Sequence, residues 1–265
     1  TLLNYTDKVL FFPMDDFLTS EAIAISPEFK VERINTLNVI SDDSKYIVVT
    51  NLMGALRYLP NKKLWKKSKI VLKKGMDINR EELLDKLYNL GYEREVIVYG
   101  TGKIGIRGYV VDIFPTSYEN AVRIEFWGDT IDSIKYFDVD SQLSTEEVSE
   151  ITIYPFTEFL VDKDIDNMIN KQKYLKHYSS SVSMLSDYLD GGIICYDDYP
   201  SLLKSYDLLV SSIMEYDNEN KSEIETKYMY ELDDISGCFN IYYYHFDEVI
   251  AGKLKFYRFK YDSIN

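Results

Sequence analysis

AVRIEFWGDTIDSIKYFD, Ala121 to Asp138, is the stretch that decides the reading of the fold. Its first half alternates, with Val122, Ile124 and Phe126 on one side of an extended chain and Arg123, Glu125 and Trp127 on the other. Period-two alternation marks a half-buried strand whose apolar set faces the core. WGDT supplies a Gly-Asp hairpin turn, and DSIKYFD continues as the return strand. Around this hairpin lie VIVYG (Val96–Gly100), GKIGIRGYVVDIFP (Gly102–Pro115) and ITIYP (Ile151–Pro155), separated by Gly, Asp, Asn and Ser. Short strands at that spacing predict an antiparallel sheet. One helix precedes it. NREELLDKLYNL, Asn79 to Leu90, is amphipathic, with Asn79 as cap, Glu82 three positions on, and Gly91 as its stop.

A different pattern flanks this module. KVLFFP (Lys8–Pro13) and YIVVT (Tyr46–Thr50) read as short buried strands. Each leads to a helical stretch, Glu28–Leu37 behind Ser26-Pro27 in the first case and LMGALRYL (Leu52–Leu59) in the second. Strand–helix alternation predicts an α/β arrangement, a mostly parallel sheet covered by helices. After a polar, helix-rich stretch (Asp162–Asp190), GGIICYDD (Gly191–Asp198) restores the strand signature and is expected to rejoin the first sheet. A helix follows over Pro200–Leu209, and the polar stretch Asp217–Lys227 reads as a flexible loop. The expected organisation is an α/β domain built from residues 1–75 and 161–265, interrupted by a small α+β module at 76–160.

Charge narrows the function. The net charge is −14, but residues 1–75 carry 12 basic and 8 acidic groups, 76–160 carry 7 and 17, and the remainder 11 and 19. Duplex-DNA binding draws on a basic footprint, and most of this chain opposes it. The exception is NKKLWKKSKIVLKKG, Asn61–Gly75, with seven lysines and no acid. Only two cysteines (Cys195, Cys238) and two histidines (His177, His245) occur, without metal-ligand spacing, so a zinc site and a Cys-His nucleophile are not expected. Unpaired cysteines fit a reducing, cytoplasmic setting. Neither a signal peptide nor an apolar run of about 20 residues appears, so no membrane association is expected. Thr1 in place of an initiating Met implies residues upstream.

IRGYVVDIFP (Ile106–Pro115), then VRIEFWGDTIDSIKYFD, Gln142 and ITIYPFTEF from Ile151, follow an order that resembles the damage-recognition helicase UvrB. The order resembles more closely the amino-terminal, UvrB-like region of the transcription-repair coupling factor (Mfd) family. FFPMDDFLTSEAIAISPEFKVERINTL upstream is similar to the latter, and UvrB's tyrosine-rich stretch is absent. The resemblance is good from about Val9 to Phe159 and mainly positional beyond. It implies that the flanking α/β domain is helicase-like but incomplete and degenerate, and that the inserted module binds UvrA. The parent protein would then recruit nucleotide excision repair to stalled RNA polymerase. Polymerase and DNA would be met through other regions, and ATP and magnesium would be handled by motor domains absent from this sequence.

The resemblance also implies a site. Arg107 and Arg123 stand at the two arginine positions by which the family's module is held to UvrA, and Trp127 stands where the family carries a phenylalanine. A tryptophan beside arginine on a polar strand face is the residue mixture enriched at interface hot spots. Arginine also pairs carboxylates in a bidentate manner that lysine cannot copy. A plain reading stands beside this one: Arg123 and Glu125 as solvated strand residues, Trp127 covering the sheet edge, and Arg107 serving only the turn at Gly108.

Catalysis finds little support. No G-x-x-x-x-G-K-[ST] occurs, and Gly100, Gly102 and Gly105 in GTGKIG lack the spacing and the strand-to-helix setting of a phosphate loop. Asp197-Asp198 ends a strand where a helicase carries Asp-Glu, but before Pro200 it reads as an ordinary helix cap. Asp15-Asp16 has poor geometry for two acids on one substrate and reads as a loop or cap. No catalytic residue and no metal ligand are expected. The rival reading is a nucleic-acid-contacting segment of UvrB or a related DNA helicase. It would use Lys62, Lys63, Lys66, Lys67, Lys69, Lys73 and Lys74, with Trp65 stacking a base. Against it stands a solvated basic connection that pairs with the acidic remainder.

Overall fold

The computed structural model of the chain describes residues 2–14, 27–162, 172–190, 192–220, 227–235 and 239–243. In chain order the first segment comprises β1 (Val9–Phe12), α1 (Pro27–Asp42), β2 (Ile47–Thr50), α2 (Leu52–Leu56), β3 (Leu59–Pro60), α3 (Lys62–Ser68) and β4 (Ile70–Lys73). The middle holds α4 (Arg80–Asn89), β5 (Glu93–Glu95), β6 (Lys103–Arg107), β7 (Val110–Ile113), β8 (Ala121–Trp127), β9 (Thr130–Phe137), β10 (Ser144–Val148) and β11 (Glu150–Ile153). Beyond it come α5 (Leu175–Tyr178), β12 (Val182–Ser183), α6 (Leu185–Tyr188), β13 (Ile193–Tyr196), α7 (Tyr199–Asn220) and β14 (Phe239–Tyr242).

The architecture is mixed α/β, as the patterning predicts. Strands β1 and β2 pair in parallel, with α1 laid over them, and Thr36 Oγ1 donates to the Phe11 carbonyl at 2.5 Å. Strands β5 to β10 form a six-stranded sheet in the order β10-β9-β8-β7-β6-β5, antiparallel except for the β5–β6 pair. Helix α4 closes one face of that sheet. Its Leu83, Leu84 and Leu87 pack with Ile104, Val111, Ile113, Val122, Ile124, Phe126, Ile131 and Ile134 in one apolar cluster. Burying each such side chain contributes about 1.5–3 kcal/mol. The chain enters the module through β4 and leaves through β11, and these two strands pair antiparallel from Ile70↔Ile153 to Lys73↔Glu150.

Local chemistry explains the module's punctuation. Asn79 caps α4, its side chain accepting from the Glu81 and Glu82 amides at 3.0 and 3.3 Å. Gly91, at φ +88°, ends it in the left-handed conformation that only glycine adopts without strain. Gly128, at φ +63°, does the same for the two-residue turn between β8 and β9. Asn79→Ala is expected to cost about 1 kcal/mol, and Asn79→Gly only a few tenths. Urea unfolding of both variants checks this, and equal midpoints would remove the cap from the account.

Three sequence expectations are corrected. VIVYG is not a strand: the sheet edge is formed by Glu93–Glu95 instead, where Lys103 Nζ reaches Glu93 at 2.8 Å and Glu95 at 2.9 Å. Of that run only Val98 is fully buried, against Ala121 and Phe137. The strand in GGIICYDD, β13, pairs in parallel with β14, Ile193↔Phe239 through Tyr196↔Tyr242, and among the described residues has no ladder to β1 or β2. The polar loop expected from Asp217 is helical as far as Asn220, and residues 221–226 lie outside the described residues. No helix among the described residues is long and apolar enough to cross a membrane.

Candidate functional site

With α4 on one face of the six-stranded sheet, the opposite face carries charged residues beside a small apolar cluster of Val98, Ala121 and Phe137. Register places its residues. Asp112 on β7 sits directly opposite Arg123 on β8, which sits opposite Lys135 on β9. In the adjoining row Arg107 pairs with Val110, Val110 with Glu125, and Glu125 with Ser133. The alternation read from the sequence holds: Val122, Ile124 and Phe126 are buried, Arg123 and Glu125 half-buried, and Trp127 84 % exposed.

The three residues singled out differ in what they have left to offer. Arg123 is largely engaged. Its Nε and Nη2 donate to the two oxygens of Asp112 at 2.8 and 3.0 Å, and Nη1 donates to the Gln142 carbonyl at 3.1 Å and to Ser144 Oγ at 3.4 Å. Its guanidinium also lies 4.6 Å above the Phe137 ring, and only 13 % of the side chain is exposed. Hydrogen bonding to Asp112 holds its pKa above the ordinary arginine value. Arg107 makes one charged contact, Nη2 to Asp112 Oδ2 at 2.6 Å, and keeps 48 % of its side chain in solvent. Trp127 presents nearly all of its ring. Glu125 accepts from Ser133 Oγ at 2.6 Å and Lys135 Nζ at 2.8 Å, and those bonds hold its carboxyl below the usual range.

Asp112 is the residue that sequence reading missed. It is 3 % exposed and bridges both arginines. The signal was available, because the VVDIFP alternation that turns Val111 and Ile113 inward turns Asp112 onto the arginine face. Gln142, noted in the sequence for its position, adopts φ +60° and offers its carbonyl to Arg123.

The lysine-rich stretch has the character of a basic connection paired with acidic residues, the reading set against nucleic-acid contact. Trp65 cannot stack on a base: it is wholly buried, with Nε1 donating to Asn38 Oδ1 at 3.1 Å. Helix α3 turns this ring inward between basic neighbours. Lys62 pairs with Asp190 (2.5 Å), Lys69 with Asp42 (3.1 Å), Lys73 with Glu150 (2.5 Å) and Lys74 with Glu147 (2.6 Å). Lys63, Lys66 and Lys67 have no ion pair among the described residues. The acidic remainder therefore neutralises much of the patch.

Other sequence candidates fall into structural roles. Asp198, at φ +48°, accepts from Ser201 Oγ at 2.7 Å at the start of α7. Gly102 and Gly105 lead into and lie on β6 rather than a helix. The His177 ring packs edge-on against Tyr178 at 4.8 Å, and Cys195 is a free, exposed thiol. Asp15, Asp16, Cys238 and His245 lie outside the described residues. No group of three or more metal-ligating side chains occurs among the described residues.

The six-stranded, mainly antiparallel sheet, with one covering helix and one charged face that carries an exposed tryptophan, lies within the stretch that the comparisons single out. Residues 70–159 match the family model of the UvrB interaction domain. The chain is similar to transcription-repair-coupling factors. The protein of that name from Bacillus subtilis (strain 168) is 35% identical over 154 residues, covering 58% of this chain and 13% of its own length. That of Staphylococcus haemolyticus is 34% identical over 166 residues (62% and 14%), and that of Staphylococcus epidermidis 33% over 181 residues (67% and 15%). The resemblance stated from the sequence is thereby borne out. The chain spans about one seventh of the length of these relatives.

Proposed function

We propose that this chain is the UvrA-docking part of a transcription-repair coupling factor and carries no catalysis of its own. The observation that supports this most directly is coincidence in place. The matched UvrB interaction domain, residues 70–159, contains the sheet whose charged face offers Arg107, Arg123 and Trp127. The mechanism is rigid presentation. The hydrogen-bonded sheet and α4 fix the face, so docking spends little free energy on ordering backbone. Arg107 meets a carboxylate of the partner, Trp127 fills an apolar recess, and Arg123 holds the face in shape. Two strand spacings and one residue pair separate Arg107 from Trp127, so these anchors stand roughly 12 Å apart. In this reading RNA polymerase, DNA, ATP and magnesium engage other parts of the parent protein, which works in the cytoplasm.

Calorimetric titration of the chain with UvrA tests the reading, with a short DNA duplex titrated in parallel. Saturable binding to UvrA and none to the duplex is the expected result. Duplex binding without UvrA binding would overturn it in favour of nucleic-acid contact through Lys63, Lys66 and Lys67. Charge reversal at Lys66 and Lys67 would then abolish the DNA signal and flatten its salt dependence.

A further inference from the structure

We propose that Asp112 is the positioning residue of the docking face, aiming Arg107 at the partner from beside the more firmly held Arg123. This rests on the docking reading and deepens it. Asp112 and Arg123 are a directly opposed cross-strand pair, and Arg107 is diagonal to Asp112, two residues along from its neighbour Gly105. Both relations bring side chains within reach on one face of a sheet. Asp112 Oδ1 accepts from Arg123 Nε, and Oδ2 accepts from both Arg123 Nη2 and Arg107 Nη2. One buried carboxylate therefore holds two guanidiniums in a fixed relation.

The two arginines emerge from this clamp unequal. Arg123 has its Nε, Nη1 and Nη2 all donating within the sheet and its ring-facing side against Phe137. A partner carboxylate would have to displace those bonds to reach it. Arg107 makes its one hydrogen bond among the described residues from Nη2 to Asp112 and keeps 48 % of its side chain in solvent, with Nε and Nη1 not donating there. A free arginine loses much rotamer freedom on binding, and a side chain already held in its bound geometry loses less. Asp112 thus pre-orders the side chain that makes the contact. The partner this fits carries a carboxylate at the Arg107 position, and lysine there would not reproduce the planar pairing.

A double-mutant cycle on UvrA affinity decides the matter, using Asp112→Asn, Arg107→Ala and the pair together, each first shown to be folded by its thermal unfolding transition. Asp112→Asn keeps the shape and removes the charge. Its affinity is expected to fall by roughly tenfold, and the double variant is expected to bind no more weakly than Arg107→Ala alone, because Asp112 acts through Arg107. Additive losses would mean that Asp112 only supports the sheet, and would overturn the inference. So would tighter binding by Asp112→Asn, which would mean that the carboxylate quenches Arg107 instead of aiming it. If Asp112→Asn does not fold, Asp112→Glu keeps the charge while moving it by one methylene, and the same cycle is read with it. A lost affinity that is non-additive with Arg107→Ala supports positioning, and wild-type affinity overturns it. Failure of the wild type to bind UvrA would sink the docking reading itself, whereas binding lost by Arg107→Ala but untouched by Asp112 variants would sink this inference alone.

Discussion

Glu158→Ala is expected to lower the unfolding free energy by about 3–5 kcal/mol, the usual cost of leaving buried charges unpaired. Glu158 lies in the stretch that follows β11, and two guanidiniums from the first segment close on it. Arg33 donates through Nε and Nη2 at 3.0–3.1 Å, and Arg57 through Nη2 at 3.3 Å. All three side chains are buried, and Arg33 also donates to the Pro13 carbonyl. Removing the carboxylate leaves two cations without a counter-charge in a place water does not reach. Burial pulls the Arg57 pKa down to about 10 even with Glu158 present, so Arg57 stays charged at neutral pH. With a total stability of roughly 5–15 kcal/mol for a domain, the loss is a large fraction. Urea unfolding at pH 7 measures it, and a change below about 0.5 kcal/mol, the range of neutral surface substitutions, would show the triad to be dispensable.

The same triad sets an acid limit. Burial raises the Glu158 pKa, but attraction to Arg57 and Arg33 outweighs it, so the carboxyl lies below its ordinary value of 4.5 in the folded state. A depressed folded-state value stabilises the fold above 4.5, and that stabilisation is lost as pH falls through the folded value. Wild type and Glu158→Gln should therefore differ by a constant amount well above pH 4.5 and converge in stability as pH falls below it through the folded value.

Trp127→Ala is expected to weaken UvrA binding by about 2 kcal/mol or more, some 30-fold, while changing stability by less than about 0.5 kcal/mol. The asymmetry follows from exposure. A ring left 84 % in solvent contributes little to the core, yet it is a large apolar area to bury in a complex. The indole stands at the end of β8 beside the turn, on the same face as Glu125 and Arg123. Parallel titrations and melts of the variant separate the two quantities. Unchanged affinity would return Trp127 to the plain reading, a ring lying over a sheet edge.

What could be read from the sequence was whatever local periodicity controls. The β8 alternation, the Gly128 turn and the Asn79 cap each depend on neighbours within a few residues, and each stands as read. What could not be read was pairing at a distance. Nothing local to GGIICYDD names Phe239–Tyr242 as its partner. VIVYG has strand composition, but the ladder formed at Glu93–Glu95, where Lys103 on the neighbouring strand pairs with the two acids. The burial of Trp65 was not legible locally, because charged neighbours dominate the composition of a seven-residue helix while its indole partner, Asn38, lies 27 positions away. Asp112 lay between: its face was legible, and its two partners came only from register.

The β4–β11 ladder has a mechanical meaning. Both strands reach the module at the same end, Lys73 and Glu150 side by side, and their Leu72, Ile151 and Ile153 lie in the same apolar cluster as Phe12, Ile34 and Trp65. A pull applied at the Arg107 face travels down two backbones at once, lengthwise, so no rung of the ladder is peeled open.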